Sequence, residues 1–244
     1  MIVIAHVSDT HFDGGSRATE RARRVMAHLE SLPGPLDAIL VSGDIADHGL
    51  TPEYELARAH LVSSKVPVLT LPGNHDARGN FRSVLLGEPA GEEPVNRVAE
   101  VGGVVFALAD SSIPGRADGL LGEPTLAWLE SVLSAGAPTV VCFHHPPVEV
   151  HEPTIDAIRL GDADRLADVL ARHDNALAVL CGHAHTGAAA TFAGRPVRVA
   201  PGVVSTLRLP WESDQVMDRD LPPAIAYHVL TGDGRLTTHY RVVP

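Results

Sequence analysis

The stretch Ile2-Val3-Ile4-Ala5-His6-Val7-Ser8-Asp9-Thr10-His11 begins as an apolar run and ends on a carboxylate and an imidazole two residues apart. Its apolar part, residues 2–7, has the length and β-branched content of a buried strand. The same pattern recurs along the chain. Residues 38–41 lead to Gly43-Asp44, and residues 66–70 lead to Gly73-Asn74-His75-Asp76. Residues 139–143 lead to His144-His145-Pro146-Pro147, and residues 178–180 to Gly182-His183-Ala184-His185. In open α/β sheets, ligands bind beyond the carboxyl ends of the strands. These tips, rich in oxygen and nitrogen donors, are therefore expected to converge on one rim and build a site for two metal ions.

Helical periodicity fills the gaps. Residues 18–32 place Ala18, Ala22, Val25, Met26 and Leu29 on one face. Residues 52–63 follow Thr51, read as an N-cap, with Pro52 at the first helical position. Residues 124–134 and 163–173 open further amphipathic helices. The βα alternation predicts a layered α/β fold. Near the end, segments 191–193, 196–200, 225–230 and 236–242 read as strands and predict a second sheet packed on the first. Residues 87–96 read as an exposed loop. Residues 110–123, 146–162 and 205–223 are irregular and are expected to rim the site, because long loops in compact domains are often functional. No linker or repeat interrupts the chain, so one domain over residues 1–244 is expected.

Composition narrows the function classes. A chain of 244 residues with 45% hydrophobic content and 20% charge suits a soluble globule with a sizeable core. No apolar run reaches bilayer length, and the N-terminus lacks the pattern of a cleaved leader. No membrane partner and a cytoplasmic location are the expectations. A formal charge of −11 disfavours a nucleic-acid polymer as partner. A small phosphorylated substrate stays compatible, because bound cations would dominate the local field. Cys142 and Cys181 read as buried, reduced small hydrophobes.

Asp9, His11, Asp44, Asn74, His144, His183 and His185 offer carboxylate, amide and imidazole donors, which suit hard or borderline divalent ions. In extended backbone, residues i and i+2 point the same way, so the D-x-H and H-x-H spacings each aim two donors at one point. His75 follows Asn74, projects differently and stays free for substrate. Asp76 is expected to accept a hydrogen bond from that imidazole and fix its tautomer. His145 is either a group behind the ligands, a rim contact to phosphate or a plain loop histidine. His6 reads as a satisfied core histidine, and Trp211 as packed under its loop rather than stacked on a base.

The order D-x-H, G-D, G-N-H-D, H and G-H-x-H over residues 9–185 resembles the calcineurin-like metallophosphoesterase superfamily. The resemblance implies an α/β fold: a four-layer αββα sandwich of two mixed sheets flanked by helices, with a two-metal centre. It assigns Asp9, His11 and His185 to one ion and Asn74, His144 and His183 to the other, with Asp44 bridging. By its H-x-P alignment, His144 rather than His145 is the ligand. It suggests iron, manganese or zinc. Narrower segments, Asp110-Ser111-Ser112-Ile113-Pro114-Gly115, Gly119-Leu120, Trp128-Leu129 and His144-His145-Pro146-Pro147-Val148, resemble the bacterial class III cyclic nucleotide phosphodiesterases. Enzymes acting on glycerophosphodiesters share several of them.

The activity so implied is hydrolysis of a small phosphoester, a 3′,5′-cyclic nucleotide such as cyclic AMP, by in-line attack of a hydroxide held between the metals. His75 and Asp76 form the expected catalytic pair, with His75 stabilising charge or protonating the leaving alkoxide. Asn74, His75 and His145 are the expected substrate contacts. Alternative readings are a phosphodiesterase or monoesterase for glycerophosphodiesters or other small phosphoesters, and a metal-dependent binder of phosphorylated ligands without turnover. The His75-Asp76 pair argues against the binder, which needs no proton donor. A nuclease ranks last. Family members often form dimers, so the resemblance allows a homodimer.

Overall fold

Two sheets lie face to face, and helices cover the outer side of each. The computed structural model describes residues 1–63 and 65–244. In the first sheet, Ile2–Val7, Ala38–Ser42 and Val68–Leu71 run parallel. Ala224–Leu230 pairs antiparallel to Ile2–Val7, and Leu236–Val242 completes that edge. In the second sheet, Val104–Leu108, Thr139–Cys142, Ala176–Cys181 and Arg195–Val199 are parallel. Arg97–Val101 and Ala188–Phe192 flank them antiparallel.

The strands are apolar on both faces because both faces are buried. Ile2, Ile4, Leu40 and Leu71 enter the layer between the sheets and meet Val104, Phe106, Val140 and Leu180. Alternate residues Ala5, Val7, Ile39 and Val41 point outward to the helices Ser16–Ser31 and Thr51–His60, meeting Ala22, Val25, Met26, Leu29, Tyr54 and Ala57. On the far side Val141, Val179 and Cys181 meet Leu126, Leu129, Leu166 and Leu170 of Glu123–Ser134 and Ala163–Ala171. Three cores between four layers give the expected αββα sandwich.

Some sequence expectations shift. The late strands do not form a sheet of their own. The hairpin Ala188–Phe192/Arg195–Val199 extends the second sheet, while Ala224–Leu230 and Leu236–Val242 return to the first. Much of the second sheet comes from the middle of the chain, including the hairpin Arg97–Val101/Val104–Leu108. Gly102 and Gly103, both at positive φ, make its turn, a legible Gly-Gly hairpin signal. Thr51 is not an N-cap. The Glu53 carboxylate instead accepts from the His48 and Leu50 amides at 3.0 Å each. Trp211 is 71% exposed and packs under nothing. No helix among the described residues is long and apolar enough to cross a membrane.

Candidate metal centre

The five tips meet at one rim. Past Val7, the Asp9 amide donates to the Gly43 carbonyl at 3.2 Å, and the His11 amide to the Asp44 carbonyl at 2.9 Å. The Gly182 amide donates to the His144 carbonyl at 2.9 Å, stitching the two tips of the second sheet together. Across the sheets, His144 Nδ1 donates to the Ser42 carbonyl at 2.7 Å.

The backbone at these tips is not extended, which corrects the alternation argument. Asp9, His11, Asp44, His183 and His185 have φ of 56°, 43°, 48°, 67° and 50°. Left-handed backbone is uncommon outside glycine, though Asp and His tolerate it better than most residues. Such strain costs on the order of 1–3 kcal/mol per residue and concentrates at functional sites. These three tips turn sharply back on themselves instead of continuing the pleat. Gly43 allows the close approach: a Cβ there would meet His144 Nδ1 at 2.5 Å and Gly73 N at 2.8 Å.

The donor atoms stand at the spacing of groups that share an ion. His185 Nε2 is 3.4 Å from Asp9 Oδ1, and His11 Nε2 is 3.3 Å from His185 Nε2. Asp44 Oδ2 lies 3.5 Å from His11 Nε2 and 3.3 Å from His144 Nε2, placing it between two groups. Ligands bound at roughly 2.1 Å to one ion stand roughly 3–3.5 Å apart. Buried polar atoms almost always have partners. Among the described residues, the buried side-chain atoms without one are Asp9 Oδ1 and Oδ2, Asn74 Oδ1, His144 Nε2, His183 Nε2 and, elsewhere, Arg195 Nε. Five of those six atoms belong to the expected ligands. The donor set therefore fits cations.

A second layer orients the candidate ligands. Imidazoles that hold metal generally donate their other ring N–H to the protein. His144 does so to Ser42, His11 Nδ1 sits 2.8 Å from Asp47 Oδ1, and His185 Nδ1 sits 2.8 Å from Ser205 Oγ. Each leaves Nε2 for the centre. Asp47 was not anticipated. Its only sequence signal is a second aspartate three residues after Asp44.

His75 stands at the mouth, its side chain 40% exposed. Its amide donates to Asp44 Oδ1 at 2.9 Å, and its Nδ1 donates to the Asp47 carbonyl at 2.7 Å. Asp76 is therefore not its partner, contrary to the sequence reading. The buried Asp76 carboxylate turns inward and accepts from the Ile45, Ala46 and Gly73 amides and the Tyr54 hydroxyl, at 2.8–3.2 Å. It ties the Gly43-Asp44 and Gly73-Asn74 loops together. His145, read among the substrate contacts, is fully buried. Its Nδ1 meets Ser111 Oγ at 2.8 Å and its Nε2 meets the Ala117 carbonyl at 3.2 Å. That engagement places it behind the ligands, its ring 4.6 Å from that of His183.

Charge in the cluster follows from burial and the two carboxylates. Burial opposes a proton on His144, but Asp44 outweighs it and lifts the imidazole to about 9. Burial works against the Asp44 anion too, yet His144 holds its carboxyl well below the usual range. His183 drops to about 3 through burial and the His144 charge, so it is neutral and ready to ligate. A proton on His144 thus occupies the electrostatic place of a cation in the metal-free protein. Loading metal at pH 7 should release about one proton or more, seen as a binding enthalpy that changes with buffer ionisation enthalpy. A buffer-independent enthalpy would contradict this. A raised imidazole pKa stabilises the fold fully below 6.5, and that contribution is lost as pH rises through about 9. The melting temperature of stripped protein should therefore fall over that window.

A family model described as calcineurin-like phosphoesterase matches residues 2–187. The chain is 36% identical over 229 residues to a "Probable cyclic nucleotide phosphodiesterase" of Rhodococcus erythropolis, covering 89% of this chain and 76% of that protein. It is 33% identical over 234 residues to a cAMP/cGMP dual specificity phosphodiesterase of Mycobacterium tuberculosis, covering 89% and 72%. A glycerophosphodiester phosphodiesterase of Enterobacter lignolyticus is 30% identical over 245 residues, covering 95% and 88%. Among solved structures, a dimetal phosphatase from Danio rerio superposes with a TM-score of 0.73 at 17% identity, over 100% of this chain and 96% of that one. At that identity the likeness shows the fold.

Proposed function

Since this chain belongs to the calcineurin-like phosphoesterase family and is a metal-dependent phosphodiesterase, we propose that its substrate is a 3′,5′-cyclic nucleotide. The observation that carries the site is the set of partnerless donor atoms on Asp9, Asn74, His144 and His183, with ligand atoms of Asp9, Asp44 and His144 within 4.8 Å of one another. Asp9, His11 and His185 would hold one ion and Asn74, His144 and His183 the other, with the Asp44 carboxylate, 3.5 Å from His11 Nε2 and 3.3 Å from His144 Nε2, serving both sets. An all-nitrogen-and-oxygen shell accepts iron, manganese or zinc. Cations held there would supply positive charge to polarise a phosphoryl oxygen and acidify water.

The chain's own groups do the rest. Asp47 orients His11 through its carboxylate and His75 through its carbonyl. That carbonyl makes Nδ1 the donor and leaves Nε2 of His75 for the phosphoryl group or the leaving oxygen. Asn74 precedes His75 in the chain, and its buried, partnerless Oδ1 is free to take metal or substrate. Asp76 sets the spacing of the two loops that carry Asp44 and Asn74. The similarity to cyclic nucleotide phosphodiesterases at 36% and 33% identity supports the substrate class. The relative that acts on glycerophosphodiesters supports those as a second substrate reading. Two buried, unpaired cysteines suit a reducing compartment such as the cytoplasm.

Turnover by manganese-loaded protein of cyclic AMP, cyclic GMP, glycerophosphodiesters, bis- and mono-nitrophenyl phosphate tests the assignment. The highest kcat/KM is expected on a cyclic nucleotide. A preference for glycerophosphodiesters would move the assignment to the second reading, and a preference for the nitrophenyl monoester would contradict both.

A further inference from the structure

Directly beneath the centre lie two histidines that hold no ligand position. His6 and His228 are 0% and 1% exposed. Burial keeps both neutral: His6 is pushed far down, with His228 adding to the effect, and His228 falls to about 3, with Arg198 adding. His6 Nδ1 is 2.9 Å from His228 Nε2, and His6 Nε2 is 2.8 Å from Ser42 Oγ. His228 Nδ1 reaches Thr238 Oγ1 at 2.9 Å. Ser42 Oγ donates to Ser8 Oγ at 2.8 Å, and Ser8 Oγ donates to the Ser42 carbonyl at 3.4 Å.

A neutral imidazole has one donor and one acceptor, so the chain has one direction. Ser42 donates to Ser8 and therefore accepts from His6 Nε2–H. His6 Nδ1 then accepts from His228 Nε2–H, and His228 Nδ1 accepts from the Thr238 hydroxyl. The chain ends on the Ser42 carbonyl, which also accepts from His144 Nδ1 at 2.7 Å.

Every tip but the Asn74 loop touches this end of the chain. Ser8 precedes Asp9, and Ser42 precedes Gly43-Asp44. Gly182 precedes His183 and packs so tightly on the pair that a Cβ there would strike Ser8 Oγ and lie 2.8 Å from Ser42 Oγ. A satisfied buried network fixes one geometry, whereas a half-satisfied one is costly.

We propose that His6 and His228 are positioning residues for the metal centre. Their one-way hydrogen-bond chain locks Ser8 and Ser42, and through them the orientation of His144 and the seating of the Asp9, Asp44 and His183 loops. This rests on the metal-centre reading above.

The test compares His6→Leu, Ser8→Ala and His6→Gln with wild type for Mn²⁺ affinity by chelator competition and for melting of the stripped protein. His6→Leu removes the donor to Ser42 and the acceptor for His228, while the amide of His6→Gln can still donate to Ser42. Outer groups that orient ligands are typically worth ~10–100-fold in metal affinity. A loss of that size is expected for His6→Leu, a smaller loss for Ser8→Ala, and substantial recovery for His6→Gln. Wild-type affinity in both His6→Leu and Ser8→Ala, with only the melting temperature lowered, would overturn the proposal. If His6→Leu does not fold, Ser8→Ala decides alone. Wild-type protein that holds no Mn²⁺ would overturn the metal-centre reading itself, and the proposal with it.

Discussion

Asp44→Ala should lose tight binding at both metal positions and lower kcat/KM by at least ~10³-fold, because several kcal/mol of charge stabilisation disappears and each 1.36 kcal/mol is a factor of ten. The carboxylate is the one group within 3.5 Å of both His11 Nε2 and His144 Nε2 among the ion pairs of the cluster. Removing it leaves two half-shells with no shared anion. It also removes the charge that lifts His144 to about 9, so burial should make that imidazole neutral and reduce the proton release seen on loading. Metal analysis after dialysis reads the first effect, and calorimetry in two buffers reads the second. Two tightly held ions per chain in the variant would contradict the bridging role.

His75→Ala should behave differently. Its ring sits at the mouth, and its Nδ1 is already engaged with the Asp47 carbonyl. The metals should stay, while kcat falls by ~10²–10⁴, the usual worth of a positioned proton donor. The loss should be smaller on bis-nitrophenyl phosphate than on a cyclic nucleotide. A nitrophenolate leaves without a proton, whereas a ribose alkoxide does not. Equal losses on both substrates would assign His75 to charge stabilisation alone. Undiminished kcat on both would remove it from the mechanism.

The candidate ligand residues are legible because their chemistry is written next to strands. An apolar run that stops at Asp9, Asp44, His144 or His183 puts a polar group where only a strand end can present it. The direction of those side chains was not legible. It depends on left-handed φ at Asp9, His11, Asp44, His183 and His185, and no residue type requires that conformation. Asp76 shows the same gap. Its place beside His75 in sequence suggested a pair, but the loop turns its carboxylate toward the Ile45, Ala46 and Gly73 amides. Asp47 does the work expected of it, through a contact set by where two loops cross. The allocation of the last strands to two sheets was hidden for a related reason. Nothing local in Ala188–Phe192 or Ala224–Leu230 names its sheet; the long-range pairings, with Arg195–Val199 for the first and Ile2–Val7 for the second, do.

The sharpest measurement is an anomalous-scattering map of crystals loaded with manganese or zinc. Two peaks should appear, one within bonding reach of Asp9, His11 and His185 and one within reach of Asn74, His144 and His183, with the Asp44 carboxylate touching both. Peaks elsewhere on the molecule, or a single ion with Asp44 turned away from it, would contradict the account.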